Sequence, residues 1–178
     1  MGSGPDAAFD TTLVVFGASG DLARRKVLPA LQAACASGQV QGRVGVLGAG
    51  RSNLDDGGFQ ALLGEDEQTA ALAPSARWVR LDYGDPSGYR RIADLVSGCR
   101  QVVYYLATPP EVFPVIVDSL AAAGLNRRGD ATRRVVVEKP LGRDLATSRE
   151  LNRRLDTGFE EAQIYRIDHY LAKDTVQN

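Results

Sequence analysis

The chain has 178 residues, 44% of them apolar, and 21 basic against 22 acidic side chains give a formal charge of −1. That length supplies one hydrophobic core, or one core plus a fragment of a second domain, and the near-zero charge argues against a general nucleic-acid surface. No apolar run approaches the roughly 20 residues of a membrane span, and no basic segment followed by a long apolar stretch opens the chain, so neither a membrane anchor nor a secretion signal is expected.

Residues 1–10 read as a flexible N-terminus, and 11–178 as one folded unit. The first predicted strand, Leu13–Phe16, runs straight into Gly17-Ala18-Ser19-Gly20-Asp21-Leu22-Ala23. A helix is predicted over Leu22–Ser37, with Pro29 inside it as a kink or a division. Further strands are predicted at Arg43–Leu47, Trp78–Leu81, Val102–Leu106, Arg134–Val137 and Gln163–Ile167. Helices are predicted between them at Asp56–Leu63, Gly88–Val96, Pro110–Ala123 and Asp144–Asp156. Pro114 falls near a helix start, Gly124 is a plausible stop, and Asp144 a plausible cap. Runs such as Val14-Val15-Phe16, Val102-Val103-Tyr104-Tyr105 and Val135-Val136-Val137 are continuous rather than alternating. Such strands are buried on both faces, as in a parallel sheet covered by helices. Six strands with five intervening helices predict an α/β Rossmann-like fold, a doubly wound parallel sheet in three α/β/α layers.

The opening turn carries the first chemistry. Gly17, Gly20 and Ala23 form a Gly-x-x-Gly-x-x-Ala pattern, with Ala18 at the middle small position. Gly17 turns sharply off the strand, Gly20 permits close backbone approach, and Ala23 permits close helix–sheet packing. The unpaired amides of the new helix, through Leu22, suit a pyrophosphate, and Ser19 adds a hydroxyl. Asp21 is awkward beside a pyrophosphate and is expected to cap the helix or order nearby loops. No Gly-Lys-Ser/Thr ends the glycine run, which excludes a Walker A loop. Where an NAD site usually places a carboxylate, after the second strand, this chain has Arg51 followed by Ser52. A guanidinium suits the 2′-phosphate of NADP. Ala107 and Thr108 leave the fourth strand at the crevice edge and are expected to line the nicotinamide side.

Later in the chain, Glu138-Lys139-Pro140-Leu141-Gly142 places a lysine just after a buried strand, where it can meet substrate hydroxyls or the nicotinamide ribose. The only histidine lies in Arg166-Ile167-Asp168-His169-Tyr170-Leu171-Ala172-Lys173. A helix there would put His169 and Lys173 on one face, and with Tyr170 they offer donors to a phosphate. Asp168 can accept from an imidazole and set its tautomer, but not comfortably from its immediate neighbour. No second imidazole or cysteine cluster supports a metal site. Cys35 and Cys99, far apart, read as free thiols and small core residues, consistent with a reducing, cytoplasmic setting.

These segments, in this order, resemble the glucose-6-phosphate dehydrogenase family, and only its amino-terminal coenzyme-binding domain. The resemblance runs from Thr11 onward. It implies oxidation of glucose 6-phosphate at C1 to 6-phosphogluconolactone with NADP. It implies that Gly17, Gly20 and Ala23 hold the pyrophosphate and that Arg51 meets the 2′-phosphate. Lys26 and Lys139 would border the sugar and nicotinamide, and Pro140 would be a cis proline positioning Lys139. His169, Tyr170 and Lys173 would bind the substrate phosphate, and Asp168 would pair with the family's catalytic histidine. That histidine belongs to a carboxyl-terminal catalytic and dimerisation domain expected to be absent here, so little activity is expected of this chain alone and its oligomeric state is left open. Ala172 stands where the family usually has glycine, and Asp174 where it has glutamate. A non-catalytic NADP-binding or partner-regulating module is the alternative. A short-chain reductase is disfavoured by the lack of a Tyr-x-x-x-Lys pair.

Overall fold

The computed structural model describes residues 9–127 and 131–168. Six parallel strands form one sheet in the order β3-β2-β1-β4-β5-β6: β1 (Thr11–Phe16), β2 (Val44–Gly50), β3 (Ala76–Arg80), β4 (Gln101–Leu106), β5 (Thr132–Glu138) and β6 (Ile164–Ile167). Five α-helices connect them: α1 (Leu28–Ala36), α2 (Asp56–Gly64), α3 (Pro86–Val96), α4 (Phe113–Ala122) and α5 (Leu145–Gly158). Strand order reverses between β1 and β4, and a crevice opens there outside the carboxyl ends of the strands.

Alternation along β1 divides the core. Leu13 and Val15 face one side with Ala23, Leu28, Phe59 and Trp78, under α1 and α2. Val14 and Phe16 face the other with Tyr89, Ile116 and Leu155, under α3, α4 and α5. Residues 12–16 are therefore buried on both faces, which is why the sequence reads as a continuous apolar run.

Helix boundaries follow from local chemistry. The Asp55 and Asp85 side chains accept from the Gly58 and Ser87 amides and open α2 and α3. Asp144 opens α5 in a reciprocal capping box with Thr147. Pro110 and Pro114 split the helix predicted from 110 into a 3₁₀ turn, Pro110–Val112, and α4, with Pro114 in the first turn of α4. Gly124 ends α4 at φ +70°, and the Leu125 amide returns to the Leu120 carbonyl at 2.9 Å. The helix expected over Leu22–Ser37 is divided as Pro29 requires: a π segment, Ala23–Val27, precedes α1. Both cysteines are free; Cys99 is buried, but Cys35 is only half-buried on α1 rather than in the core. No described helix is long and apolar enough to cross a membrane.

Candidate functional site

β1 ends at the crevice, and the Gly17 amide donates to the Ala49 carbonyl of β2 at 2.7 Å while the Ala107 amide donates to the Phe16 carbonyl at 2.9 Å. These two bonds fix the turn between the ends of β2 and β4. Gly17 has φ +80°, and a Cβ built there would lie 2.7 Å from the Ala107 carbonyl oxygen and 3.0 Å from Thr108 Cγ2. Only glycine meets both demands. The Gly20 amide closes the turn onto the Gly17 carbonyl at 2.9 Å, and helix begins at residue 21. Ala18 and Ala23 are fully buried beneath the turn. The first turn of the helix, including Leu22, presents backbone amides with no intrahelical acceptor toward the crevice.

Asp21 departs from expectation. It sits inside the first helical turn rather than before it, so it does not cap; its carboxylate lies 3.6 Å from Arg25 one turn on, with both side chains exposed. Its charge faces solvent and Arg25, at the favourable end of the helix dipole.

At the end of β2, Ser52 Oγ meets Ser19 Oγ at 2.8 Å, tying the second βα loop to the glycine turn. Arg51 is exposed, and its guanidinium lies over the Tyr83 ring, 5.8 Å from the centroid. Tyr83 was missed in the sequence. Its carbonyl accepts from the Tyr89 hydroxyl at 2.8 Å and the Ser119 hydroxyl at 3.3 Å. Burial raises the Tyr83 hydroxyl pKa, and the Arg51 charge pulls it part of the way back. The ring is thus an anchored, neutral platform beneath a cation.

On the other side of the switch point, Ala107 is half-buried and Thr108 buried beside Gly17. The Thr108 hydroxyl has no hydrogen-bond partner among the described residues. A buried hydroxyl next to a glycine cradle fits a ligand carrying phosphate or ribose oxygens.

Beyond β4, the residues after β5 and β6 converge. The Lys139 amide donates to the Ile167 carbonyl at 2.9 Å, and its ammonium lies 3.4 Å from Asp168. The Lys139–Pro140 peptide bond is cis. Glu138, buried at the end of β5, accepts from the Tyr105 hydroxyl of β4, another pairing invisible in the sequence. Burial, then the Glu138 contact, holds the Tyr105 pKa well above its ordinary value. Lys26 lies exposed in the π segment. His169, Tyr170 and Lys173 lie outside the described residues.

A glycine turn at the switch point, a guanidinium over the neighbouring strand end and a lysine–aspartate pair at the next two strand ends make a dinucleotide crevice with a charged far side. A family model described as glucose-6-phosphate dehydrogenase, NAD binding domain, matches residues 14–178. The chain belongs to the glucose-6-phosphate dehydrogenase family. Within that family it corresponds to the NADP-binding domain. The glucose-6-phosphate 1-dehydrogenase of Dickeya dadantii (strain 3937) is 39% identical to it, with 93% of this chain and 36% of that protein covered. That of Mycolicibacterium smegmatis is 37% identical, with 99% of this chain and 39% of that protein covered. A solved glucose-6-phosphate dehydrogenase in complex with its substrate glucose-6-phosphate superposes with a TM-score of 0.81 at 26% identity, covering 99% of this chain and 40% of that one. The Mycobacterium avium glucose-6-phosphate 1-dehydrogenase gives 0.75 at 29% identity, with 94% and 41% covered. The chain thus spans well under half the length of the relatives it matches.

Proposed function

We propose that residues 11–178 form one domain that binds NADP across the β1 turn and presents one side of the site where C1 of glucose 6-phosphate is oxidised to 6-phosphogluconolactone. The observation that carries the reading is the Lys139–Asp168 pair, 3.4 Å apart at the carboxyl edge, beside the coenzyme turn. With the pyrophosphate on the glycine turn, the adenosine end runs toward β2 and the nicotinamide toward β4 and β5. Arg51 then meets the 2′-phosphate, with Ser52 as a second donor. Thr108 donates to the nicotinamide half. Lys26 and Lys139 border the sugar, and His169, Tyr170 and Lys173 take its phosphate. NADP supplies the hydride acceptor when bound.

Removing the C1 hydroxyl proton needs a base. Asp168 serves by orienting an imidazole, and the sequence holds a single histidine, His169. As the next residue along the backbone it is poorly placed for Asp168, so the proposed base lies outside these 178 residues. Two unpaired cysteines support a cytoplasmic site of action.

Calorimetric titration with NADP and NAD tests the coenzyme reading. NADP should bind more tightly, and Arg51→Leu should weaken NADP by about 10- to 150-fold, the worth of a hydrogen bond to a charged group, while leaving NAD unchanged. Equal affinity of the unaltered chain for both coenzymes would overturn the role of Arg51. A steady-state assay of the 178-residue protein with glucose 6-phosphate and NADP should give no turnover above background. Turnover like that of an ordinary dehydrogenase would place the base within this chain.

A further inference from the structure

The helix that follows the glycine turn is not regular. Residues 21–36 are continuously helical, but Ala23–Val27 form a π segment, closed by the Leu28 amide on the Ala23 carbonyl. Pro29 follows at the second position of α1, and because the helix runs on through it, its missing N–H withholds a donor from the turn before it. Two packing demands meet here. Ala23 must lie against the sheet beneath the glycine turn, and Leu28 must face the same sheet; both are 0% exposed. In an unbroken α-helix, residues five apart are turned about 140° from one another. A π turn takes one more residue and stacks them on one face. Pro29 excludes the unbroken helix, because its ring would press on the Arg25 carbonyl and leave that oxygen without a donor.

This register decides where Lys26 goes. Gln32, later on the same helix, donates to the Glu67 carbonyl at 2.7 Å and accepts from the Ala71 amide at 2.9 Å, so its flank faces α2 and the turn after it. Lys26 sits six residues earlier, about a third of a turn around the axis from Gln32. Its flank therefore turns away from α2, toward solvent on the β4 side, where Lys26 is exposed. Helical side chains lean toward the helix N-terminus, so its ammonium reaches back to the carboxyl edge of the sheet. Lys139 and Asp168 stand at that edge. On this face none of the five α-helices covers β6, where Tyr165 is 47% exposed.

We propose that Pro29 is a positioning residue: by holding the π turn beneath the glycine loop, it aims Lys26 across β4 at the sugar-phosphate side of the site. The inference rests on the reading of Lys26 and Lys139 as substrate-side lysines. Its test separates the two. The 178-residue chain, as wild type, Lys26→Ala, Pro29→Ala and the double variant, is titrated with glucose 6-phosphate and separately with NADP. Lys26→Ala and Pro29→Ala should each weaken glucose 6-phosphate by about tenfold and NADP by less than about twofold, with the double variant no weaker than Lys26→Ala alone. Wild-type sugar-phosphate affinity in Pro29→Ala, with a loss in Lys26→Ala, overturns the role of Pro29 and leaves Lys26 standing. Equal loss of both ligands in Pro29→Ala also overturns it, since the proline would then be structural. Unchanged affinity in Lys26→Ala, or no binding by the wild type, overturns the substrate-side reading itself. One measurement needs no variant to fold. Coupling across the hydrogen bond from the Leu28 amide should reach the Ala23 carbonyl; coupling to the Arg24 carbonyl would remove the π turn and the proposal.

Discussion

At φ +80°, with the Ala107 carbonyl 2.7 Å from where a Cβ would stand, Gly17 is constrained by both backbone conformation and space. Gly17→Ala should destabilise the chain by about 1–3 kcal/mol in urea unfolding and abolish detectable NADP binding in a titration of the folded fraction. Two buried hydroxyls, those of Tyr104 and Thr108, have no hydrogen-bond partner among the described residues. Tyr104 points into the core beneath α3–α5, and burial pushes its pKa far up. Removing that hydroxyl removes an unmet desolvation cost, so Tyr104→Phe should hold or raise the melting temperature. Thr108 lies at the crevice beside Gly17 instead. Thr108→Val should leave the melting temperature in place and weaken NADP by about 2- to 12-fold, as loss of a neutral hydrogen bond would. At this scale the glycine pattern, Arg51 and Lys139 were legible because turn chemistry and charge are properties of single residues. Tyr83 was not, because nothing local marks a tyrosine as the platform under a guanidinium.

Among the elements, α5 shows how local chemistry sets a boundary and a pH response. The Asp144 carboxyl is held below its ordinary pKa, first by the Thr147 amide and then by the Thr147 hydroxyl. A depressed carboxyl contributes stability above its unfolded pKa of about 4, and that contribution is lost as pH falls through the folded value. Asp144→Ala should therefore lower the melting temperature at pH 7 by about 2–4 °C, and the gap from wild type should narrow, without closing, as the pH is taken below about 4. Asp144→Asn, which keeps a capping oxygen without a charge, should lose the pH dependence and retain most of the stability. Strand and helix order was legible in the sequence because continuous valine runs and cap residues are local signals. Asp21 shows the limit of such signals. Aspartate is a good cap, but the Arg24 amide already closes the first helical turn on the Gly20 carbonyl at 3.1 Å, one residue too early for Asp21 to serve. Pro29 announced an interruption in the first helix; only the burial of Ala23 and Leu28 on one face decided that it takes the form of a π turn.

For the whole molecule, one sheet separates two apolar cores, and β1 contributes alternate side chains to each. Such a sheet couples the layers, so the chain should unfold as one cooperative unit. Ile116→Ala, in the α3–α5 core, should cost about 2–5 kcal/mol. It should move the fluorescence transition of Trp78, on the opposite face, by the same denaturant interval as the circular dichroism transition; separate transitions would divide the sheet into independent halves. By itself, the sequence determined the class of fold, the glycine turn and the basic residue after the second strand, because periodicity and turn preference act over a few residues. Tertiary structure alone decided that Ser19 meets Ser52, that Arg51 rests on Tyr83, that Tyr105 holds Glu138 and that Lys139 meets Asp168. The reason is geometric: each pair joins residues from the ends of neighbouring strands or the loops that follow them, and only the parallel pairing of those strands brings the ends to one edge.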